Sequence, residues 1–412
     1  MRLSLNTQIL FAAVFGILFG IVIRWVGQDA PFAQYSLYFC GIMGKIFVAL
    51  LKMILIPLVF TSITVGIANL RAHTQMQKVW RITLVYYIST TMLAVLLGLV
   101  VVNITKPGAG LQISMFQETM GELNVTSMNT GEFIENFLVN LFVNPFTAMA
   151  QGQILPTIIF ALFLGIGLIV SGDKAKTVLN LLNEFFDLVM LIVGWIMKIL
   201  PIGIFCLLAK LVATQDTSLF TALGKFMLVV IGATLFHGFV TLPLLLILFS
   251  KTKLSVYYRG VREALVTAFS TSSSSATLPI TYRCMEQNLK ADKDIAGFVL
   301  PLGATINMDG TALYEAMAAL FVANLVGIDL NLLQQITVFF MAILASIGAP
   351  GIPSAGMVTM VMVLHSVGLP AEAIAILLPI DRPLDALRTM INVSGDTIGT
   401  LIVDHHTSPS EN

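Results

Sequence analysis

Asp381, Asp385, Arg388, Thr389, Asn392 and Asp396 lie close together in an otherwise apolar stretch. On a helix turning about 100° per residue, all six fall within an arc of about 100°, so one face is polar and the rest apolar. An arginine can hold a carboxylate bidentately. An aspartate one turn away can hold an ammonium. Asp385 and Arg388 therefore suit a zwitterion. If backbone donors take its α-carboxylate, Arg388 is left for a second carboxylate, which describes an acidic amino acid. The plainer alternative is a structural Asp–Arg pair that only joins helices. It applies most to Asp381, nearest the outer end, and least to Asp385, Arg388 and Asp396.

Asp396, Asn307 and Asp309 point to a second ligand. Sodium, like other hard cations, prefers oxygen ligands, and carboxylates beside unwound carbonyls provide them. The stretch Asn307-Met308-Asp309-Gly310 would be an ordinary turn in a soluble protein, but here an apolar run flanks it on each side. Two more interruptions fall at mid-length of apolar stretches. One is Ser270-Thr271-Ser272-Ser273-Ser274-Ser275 and the other runs from Gly348 through Pro350, Pro353 and Ser354 to Gly356. A serine run is usually a linker. The helical stretches flanking this one are about a dozen residues each, too short to span a bilayer alone. Hairpins that enter the membrane and turn back fit better, with the small residues at their tips.

The elements that hold these residues must sit in a membrane. Of 412 residues, 57% are apolar and 11% charged, against roughly 25% charged in a soluble domain. Mean hydropathy is +0.92. The 22 acidic and 22 basic residues are too few to cover a soluble surface of this size, and they cancel. No basic field exists to attract phosphates. A soluble enzyme, a disordered scaffold and a nucleic-acid binder are excluded. Cys40, Cys206 and Cys284 are far apart in sequence and form no CxxC pair, so neither a disulfide framework nor a zinc site is expected. What remains is an all-α polytopic membrane protein.

Apolar segments recur at 8–26, 39–69, 82–105, 134–171, 178–212 and 219–250, and about 20 residues suffice for a span. No small-residue cleavage site follows the first, which therefore reads as a spanning helix. Arg71, Lys78, Arg81, Lys174, Lys176, Lys251, Lys253, Arg259 and Arg262 flank one side of these segments. Asp29, Glu118, Glu122, Glu132, Glu135 and Asp216 flank the other. The positive-inside rule places the N-terminus and the region after Ser250 in the cytoplasm. Beyond it, units of about 257–324 and 331–404 each hold a hairpin followed by an interrupted or charged helix. Such layouts mark inverted repeats and transporter binding sites.

At these residues the chain resembles the dicarboxylate/amino acid:cation symporter family, the group of excitatory amino acid transporters and archaeal aspartate transporters. The resemblance rests on Ser272 through Pro279, Gly303 through Thr311, Ala345-Ser346-Ile347-Gly348 with Gly351-Ile352-Pro353, and Asp385 through Asp396. Lys52-Met53 with Pro57, and Tyr86-Tyr87 with Thr90-Thr91, extend it over essentially the whole chain. The family implies eight transmembrane helices, two re-entrant hairpins and an elevator-type transporter working as a homotrimer in the lipid bilayer. On that pattern residues 1–80 and 109–215 form a scaffold, and 81–108 and 216–412 a transport domain.

The same resemblance implies site residues. Ser274, Ile352 and Gly356 would hold substrate from the two hairpin tips, with Thr311, Asp385, Arg388, Thr389 and Asn392 supplying the rest. One sodium would bind at Asp396 with the backbone of Gly303, Asn307 and Asn392. A second would sit at Thr305, Ser346 and Ala349, and a third at Tyr87, Thr90, Thr91, Asn307 and Asp309. Glu315 matches a proton-carrying glutamate, so H+ is a candidate co-transported ion beside Na+. The family's second arginine is missing, because this chain has Ser272 and Ala386 at its two usual positions. The glycosylated insertion of animal members is also missing, which favours a prokaryotic inner membrane.

The leading expectation is sodium-coupled symport of L-glutamate or L-aspartate, with no enzymatic activity. Alternatives are a proton-driven or dicarboxylate carrier of the same family, or predominantly an anion channel. An intramembrane serine enzyme lacks support: no GxSxG occurs, and His237 and His365 lie in unrelated segments.

Overall fold

The computed structural model describes residues 5–69, 77–110, 139, 142–214, 217–349 and 355–407, and every regular element among them is helical. Ile352, the second tip around it, Arg71 and the glutamates at 118, 122, 132 and 135 lie outside the described residues.

The first half holds α1 (Leu5–Val26), α2 (Pro31–Asn69), α3 (Gln77–Thr105), the short α4 (Pro145–Ala150), α5 (Ile154–Ser171) and α6 (Lys176–Thr214). Then come α7 (Thr217–Phe236) and α8 (Leu242–Phe249), joined without a loop by a π-helical turn, His237–Thr241. Among the described residues, four helical stretches are long and apolar enough to cross a bilayer: Pro31–Ala68, Lys78–Thr105, Pro156–Ile196 and Ser218–Phe249. Their outer faces stay apolar. Tyr35, Tyr38, Val100, Phe163 and Trp195 are all more than half exposed, as expected where lipid or another chain is the solvent.

The second half is built from shorter, interrupted helices. Helices α9 (Leu254–Thr271) and α10 (Ser274–Arg283) pack on each other across the serine run. The arms are unequal, 18 and 10 residues. Ser272 adopts the left-handed conformation, φ 51° and ψ 36°, ending α9, at a cost of about 1–2 kcal/mol for a non-glycine residue. Ser273 then starts α10, its Oγ accepting from the Ala276 backbone N–H at 3.1 Å, the usual work of an N-cap serine. A second π turn, Cys284–Asn288, follows. Helix α11 (Lys293–Ile306) breaks at Asn307 and Met308 before α12 (Asp309–Val326) begins. Helix α13 (Leu332–Gly348) opens with a reciprocal Asn331–Gln334 capping box and packs on α14 (Ala355–Ser366). The last helix is α15 (Ile374–Thr407).

Helix α6 runs along α1 and α2, and α2 packs on α5. Around α15 gather α3, α6, α7, α8, α9, α10, α11, α12 and α14, with α12 laid along α3. Nearly every residue of α12 and of the 374–403 part of α15 is buried. The apolar face expected beside the charges of α15 therefore packs into the core. Cys40 and Cys206, distant in sequence, meet in one small cluster as free thiols.

Candidate functional site

Arg388 on α15 is 1% exposed. A buried guanidinium is tolerated only with partners. Its Nη2 donates to Asp381 Oδ1 at 2.7 Å and to Asp385 Oδ1 at 3.1 Å. Its Cζ lies 4.1 Å from the Tyr314 ring centre, within cation–π range. Among the described residues, Arg388 Nε and Nη1 have no hydrogen-bond partner. A guanidinium carries five N–H donors, so those on two nitrogens remain for an incoming acceptor.

Small residues keep the space beside this fork open. A Cβ on Gly356, in α14, would stand 3.2 Å from Thr311 Cγ2, 3.9 Å from Arg388 Nη1 and 4.0 Å from Glu315 Oε1. Gly356, Thr311, Arg388 and Glu315 therefore converge. One turn along α15, Asn392 accepts the Gly310 N–H at 2.8 Å and approaches Thr311 Oγ1 at 3.4 Å. Thr389 is buried beside them. Ser274 is buried at the start of α10, which packs on α15.

A second polar cluster lies where the α11–α12 break meets α3 and α15. Asp309 Oδ1 accepts from Thr91 Oγ1 at 2.7 Å and lies 3.3 Å from Thr90 Oγ1. Thr90 Oγ1 is also 3.4 Å from Asn307 Oδ1. Asn307 Nδ2 donates to Asp396 Oδ1 at 2.9 Å. Tyr87 Oη donates to the Val299 carbonyl at 2.8 Å. All these side chains are buried. Gly303 is required here: a Cβ would fall 2.3 Å from Asp396 Oδ1 and 2.5 Å from Tyr87 Oη. Unwound backbone, two carboxylates, an amide and hydroxyls make a hard-oxygen set of the kind sodium takes.

The remaining expected ligands are less assembled. Ser346 and Ala349 are buried at the end of α13, whereas Thr305 is exposed at the end of α11. These helices pack together, but no hydrogen bond links Thr305 to Ser346 or Ala349. Glu315 is fully buried on α12; its Oε1 accepts from Thr359 Oγ1 on α14, and its Oε2 has no partner among the described residues.

Two residues at the site escaped the sequence reading. Arg382 Nη1 donates to Asp385 Oδ2 at 3.0 Å, bringing a second guanidinium close to the first. Its spacing of three before Asp385, one helical turn, was the available signal. His237, in the π turn, sits 3.2 Å from Asp309 Oδ2 with both side chains fully buried. No spacing connects residues 237 and 309, so only the fold brings them together.

Apolar spanning helices around a buried, partly unsatisfied ion-pair site fit a membrane carrier. The profile of the Sodium:dicarboxylate symporter family matches residues 5–406, and the chain belongs to that family of multi-pass membrane proteins. It is 37% identical over 440 residues to mouse excitatory amino acid transporter 3, covering 95% of this chain and 83% of the relative. It is 35% identical to human excitatory amino acid transporter 2, covering 98% and 79%. Against a putative sodium-dependent excitatory amino acid transporter of Caenorhabditis elegans, glt-4, it is 34% identical, covering 98% and 90%. The 440 aligned positions exceed the 412 residues of the chain, so the relative carries residues that this chain lacks.

Proposed function

We propose that the chain is a secondary active transporter that couples sodium entry to uptake of L-glutamate or L-aspartate. The observation that carries this is Arg388, fully buried, with Nη2 neutralised by Asp381 and Asp385 and with Nε and Nη1, beside Thr311 and Gly356, unpaired among the described residues. Unpaired donors on a buried cation call for an anionic acceptor, and a substrate side-chain carboxylate supplies one. Asp385 would then receive the ammonium, with Ser274, Ile352, Gly356, Thr389 and Asn392 completing the pocket. The names of the relatives, excitatory amino acid transporters and in one case sodium-dependent, agree with this substrate and ion.

Sodium would occupy the oxygen cluster of Tyr87, Thr90, Thr91, Asn307 and Asp309, a site at Asp396 with Gly303, Asn307 and Asn392 backbone, and a third at Thr305, Ser346 and Ala349. A moving part of residues 81–108 and 216–412 would work against a scaffold of residues 1–80 and 109–215, and the packing of α3 along α12 and against α15 supports the first grouping. The wider reading is an elevator of eight helices and two re-entrant hairpins in a homotrimer. Its location in a prokaryotic inner membrane rests on the missing insertion alone, since the relatives named above are animal proteins.

The test is Arg388→Cys. Leaving a substrate carboxylate unpaired in a buried site costs about 2–5 kcal/mol, which is at least a ~30-fold loss of affinity. Acidic substrates should lose competition for binding while neutral ones such as serine gain it. Unlabelled aspartate competing at wild-type strength in the variant would refute the assignment.

A further inference from the structure

We infer that a cavity between α2 and α5 on one side and α3, α11 and α13 on the other is a site for one anionic phospholipid of the cytoplasmic leaflet. The acyl chain lies in the cavity and the phosphate sits on Arg81. The cavity measures about 730 Å³. Its lining is mostly aliphatic, with Ile63 and Ile67 from α2, Ile166 and Ile169 from α5 and Ile343 and Ile347 from α13, and Tyr87 and Thr91 of α3 border it too. Gly66 lines it too, and a Cβ built there would meet nothing within 4 Å. An apolar space of this kind does not hold ordered water. A single bilayer-dwelling chain satisfies it.

One end is different. Arg81 is the single charged residue of the lining, and Trp80 stands beside it. Arg81 is exposed, and no carboxylate among the described residues pairs with it. By the positive-inside reading this end faces the cytoplasm, where Lys78 adds a neighbouring charge. Tryptophan beside a basic residue marks the headgroup level of a bilayer. Basic groups at the cytoplasmic mouth of an interhelical pocket recognise anionic headgroups. An unpaired guanidinium over an aliphatic shaft therefore matches a phosphate ester with a hydrocarbon tail. A free phosphate would leave the shaft empty, and a neutral hydrocarbon would leave the arginine unpaired.

The test counts lipid retained by the full chain, measured by mass spectrometry of intact protein released from nanodiscs of mixed phosphatidylglycerol and phosphatidylcholine. The wild type should keep one phosphatidylglycerol per chain in preference to phosphatidylcholine. Arg81→Gln should abolish that preference and Arg81→Lys restore it. Gly66→Leu, whose Cβ has open space around it, puts a side chain into the shaft and should remove the retained lipid of either kind. Sodium-dependent substrate binding at wild-type affinity in each variant checks folding, and if one variant fails it the other decides. Equal retention of both lipids by the wild type, undiminished phosphatidylglycerol in Arg81→Gln, or undiminished lipid in Gly66→Leu would each overturn the site. Because retention is read without any transport step, its failure leaves the transport reading untouched.

Discussion

Asp309 shows how one residue can be surrounded so that its charge is used. Hydroxyls of Thr90 and Thr91 face one carboxylate oxygen, and His237 Nε2 stands 3.2 Å from the other. A buried carboxylate left with one oxygen unsupported is free to rotate, and groups that orient a metal ligand matter nearly as much as the ligand. Removing such a partner typically costs about 10–100-fold in metal affinity. His237→Ala is therefore expected to lower apparent sodium affinity by that order, with substrate affinity restored at saturating sodium. A sodium titration of substrate binding checks it; an unchanged midpoint would make His237 a packing residue. Asp396→Asn, which keeps shape and removes charge, should shift the same titration in the same direction. The acids were legible in the sequence because charge inside an apolar helix is costly. His237 was not, since a lone histidine in an apolar run carries no spacing. Arg382 stands outside positions 272 and 386, where the family's pattern puts its second arginine, so only its one-turn spacing to Asp385 marks it.

At the scale of elements, the α14 arm meets α12 through a polar contact, Thr359 to Glu315, and among the described residues Glu315 Oε2 has no partner. An unpaired buried carboxylate is expensive as an anion and cheap as a neutral acid, so a proton on Glu315 would let the arm close. Glu315→Gln imitates that neutral form and cannot titrate. It should still bind and exchange substrate yet lose the pH dependence of net uptake. Substrate-driven acidification of the liposome lumen, wild type against variant, measures this; equal acidification per substrate would assign the proton elsewhere. The helix breaks themselves were readable, because Ser272–Ser273 and Asn307–Met308 place small or polar residues where apolar helix should continue. The π turns at His237–Thr241 and Cys284–Asn288 were not. One extra residue in a helical turn leaves no compositional trace, only a shift in which side chains share a face.

For the whole molecule, composition alone dictated an all-helical membrane protein, since 11% charged residues cannot clothe a soluble chain of this size. Which helices pack together was not in the composition. The burial of α15 on nearly all sides follows from its neighbours α3, α7, α9, α11 and α12, long-range contacts that no local pattern encodes. The molecule's account is that a buried arginine and a cluster of oxygen ligands bind an acidic amino acid and sodium together. Uptake of labelled aspartate by purified chain in liposomes, with one ion gradient imposed at a time, tests this most directly. An inward sodium gradient alone should drive accumulation above the external concentration, and replacing sodium with choline should abolish it. Equal accumulation in choline under a proton gradient would contradict sodium coupling.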